Sequence, residues 1–314
     1  MIYLSFIFAR IWQSVPVLLG ISVIAFLAVQ LVPGDPVQIM LHGRGSPEQL
    51  AALRAELGLD RPFLEQYWDF VTGAVTGDLG TSIIQRAPVS GIIAERLGAS
   101  FFLLAYATFL SVLIAVPLAV YAALRLDRPV DHAIRLVGVV GFAMPPFWIA
   151  VILMYFFGLR LGWFPIAGFG SEFAQHLWHM TMPAVTVALF LAPILIQSLR
   201  AAMIEAMTAD HVEVARAKGL SRRQVLLKHV LRNAVIPVIT VLAVNIGWLL
   251  SGAVIVEYVF SLPGLGTLLV RSVSYRDYPV IQGLALVFGL IVLVVNLLAD
   301  LGYMLADQRV ARQR

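Results

Sequence analysis

The sequence predicts an all-α, polytopic membrane protein with six transmembrane helices and a helical external segment. Three observations lead there. The 314 residues are 60% hydrophobic and 13% charged, against about 45–50% and about 25% for an ordinary soluble domain. Mean hydropathy is +0.89. Six runs contain no Asp, Glu, Lys or Arg and are long enough to cross a bilayer, which takes about 20 apolar residues for a hydrocarbon core of about 30 Å. This composition excludes a disordered chain, a nucleic-acid-binding domain and nearly every water-soluble enzyme. There is no cysteine, hence no disulfide, thiolate nucleophile or cysteine metal site.

The six runs extend from Ile11 to Asp35, between Arg96 and Arg125, between Arg135 and Arg160, between Glu172 and Arg200, between Arg232 and Glu257, and between Asp277 and Asp300. A charge at the centre of a span costs about 2.5–3.5 kcal/mol on insertion scales, so long charge-free stretches mark the bilayer as solvent. The first run is too long for a signal h-region and leads into "LVPGDPV" without a small-residue cleavage site; it is expected to be a retained helix, which residues 2–8 extend or precede along the interface. The fourth contains His176 and His179, which places its apolar part from about Met180 onward. Pro117, Pro145, Pro146, Pro183 and Pro193 interrupt the runs. Each removes a backbone donor and tends to bend a helix, either to shape a helical bundle or to provide a hinge.

Six spans put both termini on one side. That side receives Arg10, Arg125, Arg128, Arg135, the seven bases from Arg200 to Arg232, and Arg309, Arg312 and Arg314, fourteen in all, against eight on the other. The positive-inside rule makes the first side cytoplasmic.

The segment 33–98 then lies outside. Ser46 reads as an N-cap, Pro47 as the first helical residue and Gln49 as the partner in a capping box. Leu50, Leu53 and Leu57 mark one face and Gly58 a stop. Pro62 to about Thr72 reads as a second amphipathic helix, after which Gly77, Gly80 and Pro88 punctuate a turn region. Such a segment covers helix ends, caps a pathway mouth or receives a soluble partner.

The longest polar stretch on the inner side is 200–232. Asp210 followed by Glu213 predicts a capping box and a helix start, with Val212 and Ala215 on one face and Val214 and Ala217 nearby. Gly219 predicts the stop, and Ser221 with Gln224 a second capping box opening a helix through Val225, Leu226 and His229. Helix, glycine turn, helix, with each cap contributing about 1 kcal/mol, makes a stiff loop. Basic charge alone fits an ordinary positive-inside loop. The order of the residues favours a docking surface.

"EVARAKG" at Glu213–Gly219 resembles the EAA loop of permease subunits of binding-protein-dependent ABC importers. Glu213, Ala215 and Gly219 match that pattern. Val214 replaces its first alanine, and His229, Leu231 and Arg232 stand at its distal Ile, Leu and Pro positions. "ARAKGLSRRQVLLKHVLRNAVIPV" is similar to the form in the dipeptide, oligopeptide and nickel permease branch. So, in order along the chain, are "LVPGDPV", "LRAELGLDRPFLEQYWDF", "GDLGTS", "EYVFSLPGLG" and "DQRV". The resemblance implies a type I ABC importer permease fold in the bacterial cytoplasmic membrane. It also implies four kinds of partner: a homologous second permease, two ABC ATPase subunits, an extracytoplasmic solute-binding protein and membrane lipid, with no nucleic acid. The loop would be a coupling helix seated on an ATPase, with Glu213, Ala215 and Gly219 shaping the contact and Arg216, Lys218, Leu220, Ser221, Arg222 and Arg223 in or beside it. Small peptides are the implied cargo, with nickel complexes or glutathione as alternatives.

The resulting organisation is an N-terminal segment and first helix (1–32), an external helical segment (33–98), a five-helix core with the coupling loop (99–302, loop 200–232) and a cytoplasmic tail (303–314). The chain has only two lysines, Lys218 and Lys228, and neither follows a glycine, so no P-loop is present. No cofactor is expected on this chain, and ATP and Mg belong to the partner subunits. No HExxH or GxSxG motif occurs, which disfavours an intramembrane enzyme. An ion-driven transporter would need a buried coupling carboxylate, whereas Glu257 and Asp300 sit at span ends. Gln197, Asn245 and Asn296 are the candidate pathway residues, weighed against simple interhelix hydrogen bonding.

Overall fold

The computed structural model describes residues 2–31, 37, 46–56, 58 and 60–306. "DQRV", most of "LVPGDPV", Leu57, Arg44 and the end of the tail with Arg309, Arg312 and Arg314 lie outside the described residues. The helices are α1 (Ile2–Leu31), α2 (Pro47–Glu56), α3 (Phe63–Thr76), α4 (Val89–Leu124), α5 (Pro129–Ala143), α6 (Pro146–Leu153), α7 (Phe173–Met207), α8 (Asp210–Ala217), α9 (Arg232–Val259), α10 (Leu265–Tyr275) and α11 (Tyr278–Ala306). Residues 2–8 extend α1. A wider π turn, Met154–Arg160, continues α6, and Arg222–Gln224 with a second π turn, Val225–Leu231, leads into α9.

Among the described residues, five helices are long and apolar enough to cross a membrane, or six if the pair α5–α6 counts as one span. In that pair the interruption expected at Pro145 and Pro146 is a sharp bend: the two halves of the third charge-free run meet at 99°. The cause is local. Met144 precedes a proline and is extended (φ −79°, ψ 130°), as is Pro145 (φ −61°, ψ 134°), and Pro146 restarts the helix as its first residue. Pro117, Pro183 and Pro193, by contrast, sit inside continuous helices.

The chain forms two compact units, residues 1–100 with 263–293 and residues 101–262 with 294–314. In the first, α3 lies on α1: Phe26 meets the rings of Phe63, Tyr67 and Phe70 at 5.0, 5.4 and 6.1 Å, and the Ser22 and Tyr67 hydroxyls are 2.9 Å apart. The Ser46–Gln49 capping box forms as expected (Gln49 N–H to Ser46 Oγ 3.2 Å, Ser46 N–H to Gln49 Oε1 3.1 Å), and Gly58 has φ +65°. Gly264, the N-cap of α10, has no side chain, and the Ser100 hydroxyl accepts from Leu265 N–H in its place (2.8 Å). Gly283 admits Val89 so closely that a Cβ there would stand 2.9 Å from Val89 Cγ1.

Asp277, between α10 and α11, holds the turn after α3. Its carboxylate accepts from Ser82 Oγ (2.5 Å) and Ile83 N–H (3.0 Å), and both Ser82 and Asp277 are buried. Asp277→Ala is expected to cost about 1–3 kcal/mol by leaving two buried donors without an acceptor. Proteolysis between Gly77 and Pro88 should accelerate. Asp78→Ala, at an exposed carboxylate that accepts from Gly80 N–H nearby, should change the rate little.

In the second unit α7 is the central helix. Met180, Ala184, Val187, Ala188, Leu191, Leu195, Leu199 and Met203 are buried along it, and it packs against α5, α6 and α9. Its buried core starts at Met180, where the histidines end. His176 Nδ1, His179 Nδ1 and Trp178 Nε1 hold the carbonyls of Phe169, Ala167 and Trp163 at 2.8, 3.0 and 2.9 Å, pinning the preceding loop to the first turns of the helix. The buried hydroxyls of Ser111 and Thr186 bond to the carbonyls four residues back, at 2.7 and 2.9 Å, so the core carries them without a penalty for an unpaired donor.

Candidate functional site

The polar stretch 200–232 begins inside a helix, because α7 runs on to Met207. Thr208 ends it, its hydroxyl bonding the Glu205 carbonyl (2.9 Å), and Ala209 alone then separates Thr208 from α8. The expected Asp210–Glu213 capping box is not formed. Ala209 is the N-cap, extended at φ −77°, ψ 143°, and Asp210 is already helical. The short turn leaves no room for Asp210 to stand outside the helix. Both acids still lie in the first turn, where the helix dipole favours them.

The end of α8 follows the sequence closely. Gly219 is left-handed (φ +77°); its N–H bonds the Arg216 carbonyl (2.9 Å), and Leu220 N–H reaches the Ala215 carbonyl (3.4 Å). This is the Schellman pattern, which caps the last carbonyls through a glycine. The second capping box is present, with Gln224 N–H to Ser221 Oγ at 3.3 Å and Ser221 N–H to Gln224 Oε1 at 3.0 Å. Asn233 adds a tether from beyond the π turn: its Nδ2 donates to His211 Nε2 and to the His229 carbonyl, both at 2.9 Å. Both ends of α8 are therefore held.

Burial divides the helix. Val212 (0% exposed) and Ala215 (3%) face inward, and α8 packs on the π turn that contributes buried Val225 and Val230. The small side chain of Ala215 serves this internal approach. Glu213, Val214, Arg216, Lys218, Gly219, Leu220, Ser221, Arg222 and Arg223 are exposed. Four of these are basic and one, Glu213, is acidic, so the exposed side of this stiff support carries a net positive charge.

Sequence reasoning did not single out the strongest electrostatic feature near this loop. Arg200, two turns before the end of α7, forks onto Asp131 in the first turn of α5: Nε to Oδ1 and Nη2 to Oδ2 are both 2.6 Å. The Asp131 side chain is 0% exposed and that of Arg200 14%. Asp127 N–H also donates to Oδ2 (3.1 Å), and Arg135 Nε stands 3.8 Å from Oδ1. The paired residues are 69 apart in sequence; the one available signal was an acid pair, Asp127 and Asp131, in an otherwise basic stretch.

The three candidate pathway residues are not drawn into one site by such bonds. Asn245 is half-buried and donates to the Val241 carbonyl one turn back (2.7 Å), while Gln197 and Asn296 are exposed on α7 and α11.

Comparison with known proteins agrees with this architecture. The family described as "Binding-protein-dependent transport system inner membrane component" matches residues 115–312, and its N-terminal counterpart matches residues 3–104. The chain is 37% identical over 300 residues to the glutathione transport system permease protein GsiC of Salmonella choleraesuis (strain SC-B67), and 36% to that of Escherichia coli (strain K12); in each case 96% of both chains is covered. Among solved structures it is similar to the MetNI methionine ABC transporter in an inward-facing conformation, with TM-score 0.57, 15% identity, and coverage of 69% of this chain and 96% of that one. An amino acid ABC transporter aligns with TM-score 0.52 at 18% identity, over 68% and 94%. At these identities the likeness is one of fold, that of type I importer permeases.

Proposed function

The chain belongs to the family of binding-protein-dependent transport system inner membrane components, and from that premise we propose that it forms half of a pathway for short peptides, driven by ATPase subunits that dock on the loop around Gly219. It is a multi-pass permease subunit of an ABC importer in the inner membrane. The other half of the pathway is a second, similar permease. A soluble binding protein delivers cargo from outside, and both termini and the 208–221 loop face the cytoplasm, as the distribution of bases indicates.

The observation that carries the reading is the exposed face of α8 and its glycine turn, held by a Schellman motif, a capping box and the Asn233–His211 tether. A force delivered to a flexible linker is lost in the linker. Delivered here, it meets a helix anchored at both ends and joined to α7 by two residues. Nucleotide-driven closure of an ATPase pair would move α8 and bias the membrane helices between inward- and outward-open states, while ATP and Mg stay on the partner subunits. Glutathione is the first cargo to test, since it is the substrate in the names of relatives matched over 96% of this chain.

Affinity purification of the chain, expressed with the other products of its transport system, is expected to retain two ATPase subunits and a second permease. Proteoliposomes of that complex should take up glutathione or dipeptides only with ATP inside and the binding protein outside. Uptake by this chain alone, without ATP, would defeat the proposal.

A further inference from the structure

We infer that the Asp131–Arg200 pair is the rigid link through which displacement of α8 reaches the bent pair α5–α6, so that both are positioning residues for coupling. The inference rests on the reading of α8 as the point where ATPase motion enters.

The path is short and stiff. Arg200 lies seven residues before the end of α7, about 10 Å at the helical rise of 1.5 Å per residue, and only Thr208 and Ala209 separate α7 from α8. A shift of α8 therefore arrives at the Arg200 guanidinium along continuous helix. There the fork grips Asp131 at two points, both 2.6 Å long, while the Asp127 amide donates to the same carboxylate. One carboxylate thus ties Arg200 to the start of α5 and to the turn before it, where Asp127 is left-handed (φ +58°). Further along the same interface the approach is by small residues: Gly138 faces Pro193 and Gly141 faces the Leu189 carbonyl. Such surfaces can slide. The two-point fork fixes α5 to α7 in both position and rotation, and α5 ends in the 99° break at Met144–Pro145.

Energetics argue for the same role. A buried ion pair is often no more stabilising than apolar residues of the same size, so stability alone gives little reason to place one here. What the pair supplies, and an apolar contact does not, is a fixed register between two helices.

The test uses the whole transporter, reconstituted with its ATPases, second permease and binding protein, and reads ATP hydrolysed per molecule carried together with thermal stability. Asp131→Asn and the apolar double Asp131→Leu/Arg200→Met are compared with wild type. Each is expected to raise the ATP-per-cargo ratio about tenfold, within the usual range of coupling between sites, and the apolar double should do so with its thermal stability maintained. An apolar double that transports at the wild-type ratio overturns the inference, because packing alone would then suffice. If Asp131→Asn fails to assemble, the apolar double alone decides. A wild-type complex that shows no ATP-dependent uptake would instead count against the proposed function, and it is detected before any variant is compared.

Discussion

Gly219→Pro is expected to lower coupled transport about a hundredfold, the upper range of site-to-site coupling, while the protein still inserts and assembles. Gly219 stands at φ +77°, and proline is confined near −65°. The substitution also deletes the N–H that bonds the Arg216 carbonyl. The Schellman cap is lost, α8 frays at its basic end, and the exposed face no longer rides on a fixed support. The position itself is open, since a Cβ added there would meet no atom within 4 Å, so conformation and not space is the constraint. That makes a graded series. Gly219→Ala should cost about 1–2 kcal/mol for a left-handed non-glycine residue and weaken coupling. Gly219→Asn should lie closest to wild type, since asparagine tolerates this region. Uptake measured beside ATP hydrolysis in the same vesicles checks the order. Equal effects of alanine and proline would contradict it.

Arg200→Ala is expected to have the largest effect on stability, about 3–5 kcal/mol, as for other buried pairs broken from one side. It strands the Asp131 carboxylate, which is 0% exposed, leaving it, among the described residues, the Asp127 amide and the distant Arg135 Nε. Thermal unfolding in detergent should show the loss. Two controls calibrate it. Arg135→Ala removes a 41%-exposed partner at 3.8 Å and should matter far less. Arg61→Ala breaks an exposed pair with Asp69 (3.0 Å), worth about 0–1 kcal/mol. If all three variants unfold alike, the burial argument fails.

What the sequence made legible was local. The capping boxes at Ser46–Gln49 and Ser221–Gln224 and the stop at Gly219 each depend on residues within about four positions, and all three are in place. The charge-free runs were legible for a similar reason, because the bilayer acts on every residue of a span. The Asp210 cap was displaced by one residue, since the length of the preceding turn is set by where α7 ends and not by the capping signal. Pro145 and Pro146 were visible as interruptions, but a break of 99° depends on Met144 taking the extended conformation and on packing beyond it. Ala215 illustrates a different limit: a small residue on a helix permits close approach from either side, and here the close neighbour is the chain's own π turn. Asn245 was compatible with a pathway or an interhelix bond, and its Nδ2 bonds the Val241 carbonyl of its own helix. Asp131 and Arg200 were out of reach, because nothing local in either segment announces a partner 69 residues away.

The most direct measurement is site-specific crosslinking from the exposed face of α8 and the turn after it. The chain has no cysteine, so Arg216→Cys and Arg222→Cys each introduce a single reactive position, with Trp68→Cys on α3 as a reference. In native membranes holding the complete transport system, a short bifunctional thiol reagent should join Arg216→Cys and Arg222→Cys to an ATP-hydrolysing subunit, with a yield that changes when ATP is trapped, and should leave Trp68→Cys unjoined to it. No adduct with such a subunit at either loop position, in membranes that still import cargo, would contradict the account.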